Sequence, residues 1–132
     1  MKARMGKEVT LRVHNEIGVL SQLAKLVADK GINILAVSAW VEGEDAVVRW
    51  ITNDNLRVMD ALREKHYNPR ENGVVLTEVA HKPGMLRHIT EKLAQKGIDL
   101  HHFYATAPDD QERVLIAFGS ANNDQAIVLL NG

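Results

Sequence analysis

The sequence contains no cysteine and few aromatic residues, and these absences exclude several kinds of function. A chain of 132 residues without cysteine can form no disulfide, thiol nucleophile or thiolate metal site. Its aromatic content of 5% and its net charge of −1 do not supply the interleaved aromatic and basic side chains that bind RNA. We therefore expect a protein that does not bind nucleic acid.

Long hydrophobic runs are also absent. None approaches the roughly 20 apolar residues that are needed to span a bilayer. The basic start of the sequence, residues 1–7, lacks the apolar stretch of a signal peptide. We expect a cytoplasmic protein that does not bind membranes.

The sequence also lacks the common catalytic signatures: a glycine-rich phosphate loop, a zinc-protease helix, a nucleophile elbow and paired carboxylates. It has six histidines, but His101 and His102 are adjacent and would point to opposite faces of a strand. The spacing of His81 and His88 matches no common zinc motif. The sequence thus indicates a protein that is not an enzyme and needs no metal or cofactor.

One stretch of the sequence occurs twice, so that Gly18 and Gly84 occupy equivalent positions. In each copy a leucine follows two residues later, apolar residues then recur at helical spacing, and a second glycine, Gly31 or Gly97, ends the helix. A repeat at a fixed offset means that one supersecondary unit is used twice. We interpret each unit as a strand, a glycine turn, a helix, a second glycine and a second strand.

The residues after each repeated stretch extend this pattern to the order strand, helix, strand, strand, helix. The predicted strands are 9–13, 32–40 and 46–51 in the first copy, and 74–80, 98–106 and 113–118 in the second. The predicted helices are 20–30, 55–66, 85–96 and 125–130. Asn53-Asp54 and Asn123-Asp124 are the expected caps, and residues 108–111 the expected hairpin turn. Trp40 and Trp50, on two strands of one hairpin, predict cross-strand packing, with a place in an amino-acid pocket or a sheet-to-sheet contact as the alternatives.

A cluster of turn residues from 68 to 73 marks a boundary, which predicts one domain over 1–71 and a second over 72–132. Domains of roughly 60 to 70 residues are marginally stable alone. The second copy has no strand after its last helix. Because a long unpaired edge is an aggregation site, we expect the two copies to join or exchange strands.

The repeated motif resembles the ACT domain, a small regulatory module that binds amino acids. The family signature has Asn or Asp three residues before the glycine and often proline directly before it. The first copy has Asn15 but Ile17 in place of proline, whereas the second has Pro83 but His81 in place of Asn or Asp. The resemblance covers about residues 7–130, and the chain looks like a free-standing tandem of two ACT domains.

This resemblance implies an α+β fold: two ferredoxin-like domains of the βαββαβ type, with antiparallel sheets that carry helices on one face. The second domain would lack its last strand. The resemblance also implies a homo-oligomer, a dimer, in which domains pair side by side, and a partner that is an enzyme or regulator of amino-acid metabolism. Its ligands bind at such interfaces, beside the loop between the first strand and the first helix. The ligand-binding residues would then be Asn15, Glu16, Ile17, Gly18, Val19 and Leu20 in the first copy, and His81, Lys82, Pro83, Gly84, Met85 and Leu86 in the second.

Elementary chemistry also favours these two loops as ligand-binding sites. A glycine lets the backbone approach a ligand closely, and the free N–H groups of a first helical turn suit a carboxylate. The side chain of Asn15 can hold an α-amino group, or it can form a helix cap or an Asx turn. The first loop is the better candidate because it keeps the asparagine of the family.

The sequence leaves three functions open. The first is a regulatory or sensor protein that binds a small ligand, an amino acid. The second is an oligomerisation or scaffold module whose glycine loops serve geometry alone. The third, which the composition disfavours, is a small enzyme or RNA-binding protein on the same scaffold, because a fold does not fix a function.

Overall fold

A computed structural model of the protein describes residues 1–106 and 112–132, and the hairpin turn predicted at 108–111 lies outside them. The predicted α+β class is confirmed by the six strands and four helices of these described residues. In chain order these are β1 Lys2–His14, α1 Val19–Asp29, β2 Ile34–Glu42, β3 Asp45–Thr52, α2 Asn55–Glu64, β4 Arg70–Ala80, α3 Met85–Ala94, β5 Leu100–Thr106, β6 Arg113–Ser120 and α4 Asn123–Asn131.

The chain divides into two compact units. The first unit is Lys7–Asn72, and the second unit consists of Met1–Gly6 together with Gly73–Gly132. Residues 1–6 and 72 therefore group differently from the boundaries that the sequence suggested. The turn residues near the predicted boundary did not prevent strand formation, because β4 begins at Arg70 and includes Gly73.

In the first unit the strands lie in the order β2-β3-β1-β4, and only the first residues of β4 belong to this unit. β3 pairs antiparallel with both β1 and β2. Every second residue of β1 and β3 packs against the buried residues of the two helices. This follows because successive side chains of a strand point to opposite faces of the sheet. The core of this unit consists of Val9, Leu11, Val19, Leu23, Val27, Ile32, Ala46, Val48, Trp50, Val58, Met59 and Leu62.

In the second unit the strands lie in the order β1-β4-β6-β5, and only Lys2–Gly6 of β1 belong to this unit. The Ala3 N–H donates to Asn131 Oδ1 at 2.7 Å, and Asn131 Nδ2 donates to the Ala3 carbonyl at 2.9 Å. The Thr77 hydroxyl donates to the Lys2 carbonyl at 3.2 Å. Within the described residues no strand follows α4, and residues 2–6 occupy the place of a fourth strand in this unit. The core consists of Ala3, Val75, Val79, Ile89, Leu93, Ile98, Val114, Ile116, Phe118, Ala126 and Leu130.

The second helix of each copy begins in the same way. Asp54 caps α2 by accepting from the Arg57 N–H at 3.2 Å, as the sequence predicted. Asn122 caps α4 by accepting from the Gln125 N–H at 3.1 Å. The cap predicted at Asn123-Asp124 was therefore wrong by one residue.

The predicted packing of the two tryptophans on each other was also wrong. In the β2–β3 register Trp40 lies opposite Val47, and Trp50 lies opposite Val37. Since residues 47 and 50 alternate across the sheet, the two rings lie on opposite faces. Trp50 is fully buried in the core of the first unit, whereas Arg49 stacks over Trp40 at 5.7 Å from the ring centroid. No helix in the described part of the chain is long and apolar enough to cross a membrane.

Candidate functional site

The loop between β1 and α1 exposes most of the residues predicted to bind a ligand in the first unit. Its backbone is held by two hydrogen bonds: the Asn15 N–H donates to the Glu44 carbonyl at 2.8 Å, and the Val19 N–H donates to the Glu16 carbonyl at 3.1 Å. Ile17 is fully exposed, while Val19 is buried in the core. The loop is thus a tight turn, and its first helical residue packs into the core.

The loop between β4 and α3 has a similar backbone path in the second unit. The His81 N–H donates to the Glu112 carbonyl at 2.7 Å, the counterpart of the Asn15 contact. The N–H of Met85 makes no hydrogen bond in residues 1–106 and 112–132, although the equivalent Val19 N–H donates within its own loop. The Met85 side chain is half-buried and packs against the edge of the core. The second loop therefore leaves a backbone donor free at the start of its helix.

The glycines of both loops are required by backbone conformation. Gly18 has φ 86° and Gly84 has φ 89°, and each is the N-cap of its helix. Positive φ is costly for residues that carry a Cβ. A Cβ added at either position would meet no atom of the described residues within 4 Å. Packing within the chain therefore does not demand these glycines, and the space beside both turns is open.

Asn15 does not cap the helix. The N-cap of α1 is Gly18, which provides no side-chain hydrogen bond. Within the described residues, the exposed side chain of Asn15 makes no hydrogen bond. The capping role that the sequence allowed is therefore wrong, and the Asn15 amide remains available to an external group.

A cavity of about 370 Å³ lies beside the second loop. Four of the residues predicted from the sequence line it: His81, Lys82, Met85 and Leu86. Its remaining described lining comes from the adjacent strands β4, β5 and β6: Val79, Ala80, Phe103, Tyr104, Ala105, Val114 and Ile116. The volume falls in the range of about 300–1,000 Å³ that is typical of small-molecule sites.

Sequence reasoning missed these strand residues. The sequence carries no local signal for them, because the pairing of β4 with β6 and of β6 with β5 is what places these strands together. The ring of Phe103 stacks on the buried Phe118 with 5.9 Å between centroids. This contact fixes one wall of the cavity to the core of the second unit.

The two loops differ in charge. Lys82 stands at the position of Glu16 in the other copy, and neither side chain makes an ion pair within the described part of the chain. The start of a helix attracts anions and repels cations. The positive charge of Lys82 reinforces this attraction, whereas the negative charge of Glu16 opposes it.

The described lining of the cavity includes three titratable side chains, those of His81, Lys82 and Tyr104. His81 and Lys82 are exposed, and none of the lining residues is acidic. No group of three or more potential ligand side chains in residues 1–106 and 112–132 could hold a metal ion. The arrangement is suited to binding a small molecule.

Comparison with known proteins gives structural relatives but no sequence family. No protein-family model matches the sequence, and no curated protein matches it. A crystal structure of a protein from Bacteroides thetaiotaomicron is similar, with a TM-score of 0.90 and 21% identity over 99% of this chain and 90% of the other. The ligand-free regulatory subunit of aspartate kinase from Thermus thermophilus is also similar, with a TM-score of 0.68 and 10% identity over 98% and 94% of the chains.

A third similar structure is the regulatory subunit of aspartate kinase from Thermus flavus, with a TM-score of 0.64 and 9% identity over 99% and 95% of the chains. At such identities the likeness establishes the fold and not the function. The chain has an ACT-like, ferredoxin-like fold.

Proposed function

We propose that this protein is a non-catalytic regulatory or sensor protein that binds a small ligand, an amino acid, beside the helix-entry loop of an ACT-type unit. The observation that carries the proposal is the cavity at the second loop, which joins an apolar interior to a cationic rim. The similarity in fold to regulatory subunits of aspartate kinase agrees with this role. The sequence favoured the first loop, and the cavity shifts the proposal to the second.

The proposed mechanism is linkage between ligand binding and assembly. A ligand that binds one assembly state more tightly than another stabilises that state, which an enzyme or regulator of amino-acid metabolism then recognises. We place a second copy against the first unit, because β2 exposes apolar side chains and so does the segment that runs from the helix-entry loop into α1. These are Ile17, Leu20, Leu35, Val37 and Val41, each at least 45% exposed.

A thermal-shift screen against the twenty amino acids tests the proposal. A ligand at ten times its Kd stabilises the folded state by about 1.4 kcal/mol. For a domain of this size each kcal/mol raises Tm by roughly 4–8 °C. We expect at least one amino acid to raise Tm at millimolar concentration.

A scaffold without a ligand is the second candidate, and the exposed apolar surface of the first unit favours it. Analytical ultracentrifugation with and without each amino acid separates the two functions. The scaffold predicts an oligomer whose assembly ignores all amino acids. Absence of stabilisation by all twenty would remove the ligand from the proposed function.

A further inference from the structure

We infer that the cavity of the second unit selects a monocarboxylate with a large apolar side chain, such as leucine, methionine or phenylalanine, over small or charged amino acids. This specificity rests on the proposed function, because it concerns the same cavity. The inference follows from the lining chemistry, the size and the charge of the cavity.

Apolar side chains form the interior of the cavity. Strands β4, β5 and β6 and helix α3 contribute Val79, Met85, Leu86, Phe103, Val114 and Ile116. Apolar surface gains free energy when it leaves water, whereas an ammonium or carboxylate that is desolvated without a partner loses it. Because none of the described lining residues is acidic, a basic side chain such as that of lysine finds no counter-charge there.

The size of the cavity excludes small ligands as strong binders. Its volume of about 370 Å³ lies within the range of about 300–1,000 Å³ that small-molecule sites have. Phenylalanine and leucine approach this size, whereas glycine leaves most of the cavity empty. A missing methylene in an apolar pocket weakens binding by about 10-fold or more. Glycine, which lacks the whole side chain, should therefore bind much more weakly than leucine or phenylalanine.

The carboxylate has a defined place at the rim. The Met85 N–H is free of hydrogen bonds within the described residues and lies at the start of α3. Lys82 is exposed, lines the cavity and has no ion-pair partner in that part of the chain. A backbone donor, the positive end of a helix and a lysine together suit one carboxylate.

The first unit lacks this combination. Its Val19 N–H already donates to the Glu16 carbonyl, its Val19 side chain is buried, and Glu16 puts a negative charge beside the turn. The same carboxylate would be repelled there. We therefore expect selective binding in the second unit alone.

Isothermal titration calorimetry on the full chain tests this specificity. Leucine, methionine and phenylalanine should bind with Kd values at least about 10-fold lower than those of glycine, aspartate and lysine. Tighter or equal binding of a small or charged amino acid would overturn the inferred specificity while leaving the proposed function standing.

A further arm of the titration uses 4-methyl-2-oxopentanoate, which has the carboxylate and side chain of leucine without the ammonium group. Binding of both compounds supports selection by carboxylate and apolar side chain. Binding of the oxo acid alone would support that selection and contradict the amino-acid identity in the proposed function. Binding of neither compound would overturn the inference.

Two substitutions by phenylalanine test whether leucine binds in this cavity. Ala105 is exposed and lines the cavity, so that Ala105→Phe fills the cavity without disturbing the core and should abolish leucine binding. Ala94→Phe, at an exposed position of α3 outside the cavity lining, should retain it. Equal binding by both variants would overturn the assignment.

Charge variants test the place of the carboxylate. Lys82→Gln should raise the Kd for leucine by about 10-fold. Lys96→Gln makes the same charge change beyond the other end of α3 and should leave the Kd unchanged. Because both lysines are exposed, both variants are expected to fold. An unchanged Kd in Lys82→Gln would place the carboxylate elsewhere.

Discussion

At the scale of single residues, the two glycines at the helix-entry turns are required by the backbone conformation and not by side-chain packing. Gly18 and Gly84 both have positive φ, and an added Cβ would meet none of the described atoms within 4 Å. Their role in the fold is therefore to permit the left-handed conformation. This role was predictable from the sequence, because a glycine between a strand and a helix marks such a turn.

We predict that Gly84→Ala lowers the free energy of unfolding by about 1–2 kcal/mol, the usual cost of a left-handed conformation in a residue with a Cβ. Gly84→Asn should cost less, because asparagine tolerates this conformation. Urea unfolding followed by circular dichroism measures both values. An equal loss in the two variants would show that something other than φ makes the position require glycine.

Other residue-scale features could not be predicted from the sequence. The Val19 N–H donates to a loop carbonyl whereas the Met85 N–H does not, although both residues follow equivalent glycines. Valine at this position is buried and methionine is half-buried. Such differences depend on how each side chain packs against its own core, which a sequence motif does not encode.

At the scale of elements, the second helix of each copy begins with a repeated polar cluster. Asn55 Oδ1 accepts from the Thr52 backbone and hydroxyl, and Asn123 Oδ1 accepts in the same way from Ser120. The residue before each asparagine caps the helix. The sequence located the cap of α2 but misplaced that of α4 by one residue. Each residue of Asn122-Asn123-Asp124 is of a type that can cap a helix, so the sequence does not show which one does.

We predict that Asp54→Ala and Asn122→Ala each reduce stability by about 1 kcal/mol, because each removes the side-chain acceptor of one free N–H group. Chemical denaturation gives the two values. Asp124→Ala serves as the control, since its side chain is not the cap, and should change stability by less than about 0.5 kcal/mol. A larger loss in the control than in Asn122→Ala would contradict the assignment of the cap.

Strand lengths also departed from the sequence prediction. β1 begins at Lys2 and not at Val9, and β4 begins at Arg70, within the predicted turn cluster. Local propensity disfavours asparagine and glycine in strands. Tertiary contacts override it here: the Asn72 side chain donates to the Thr10 hydroxyl at 3.3 Å in the first unit. In the second unit the Gly73 carbonyl accepts from Asn123 Nδ2 at 3.2 Å.

At the scale of the whole molecule, the repeat predicted two similar domains, and the structure has two units of similar topology. The sequence also predicted no closing strand in the second copy. It could not show that residues 2–6 take this place, because their partners, Thr77 and Asn131, are distant in the sequence. Pairing over such separations leaves no local pattern.

We predict that Asn131→Ala destabilises the second unit by about 2 kcal/mol, because it removes both hydrogen bonds to the Ala3 backbone. Urea unfolding followed by far-ultraviolet circular dichroism measures this loss. Val128→Ala, at a 70% exposed position of the same helix, should leave the transition in place. An equal shift in the two variants would contradict the role of the Asn131 contacts.

The position of the ligand is the central claim, and methionine-methyl NMR tests it most directly. The chain has four methionines; Met85 lines the cavity, whereas Met59 is buried in the core of the first unit. Titration of a ¹³C-methyl-methionine sample with leucine or phenylalanine should shift the Met85 signal and leave the Met59 signal in place. A shift confined to Met59, or no shift at saturating ligand, would contradict a binding site in the cavity beside the second helix-entry loop.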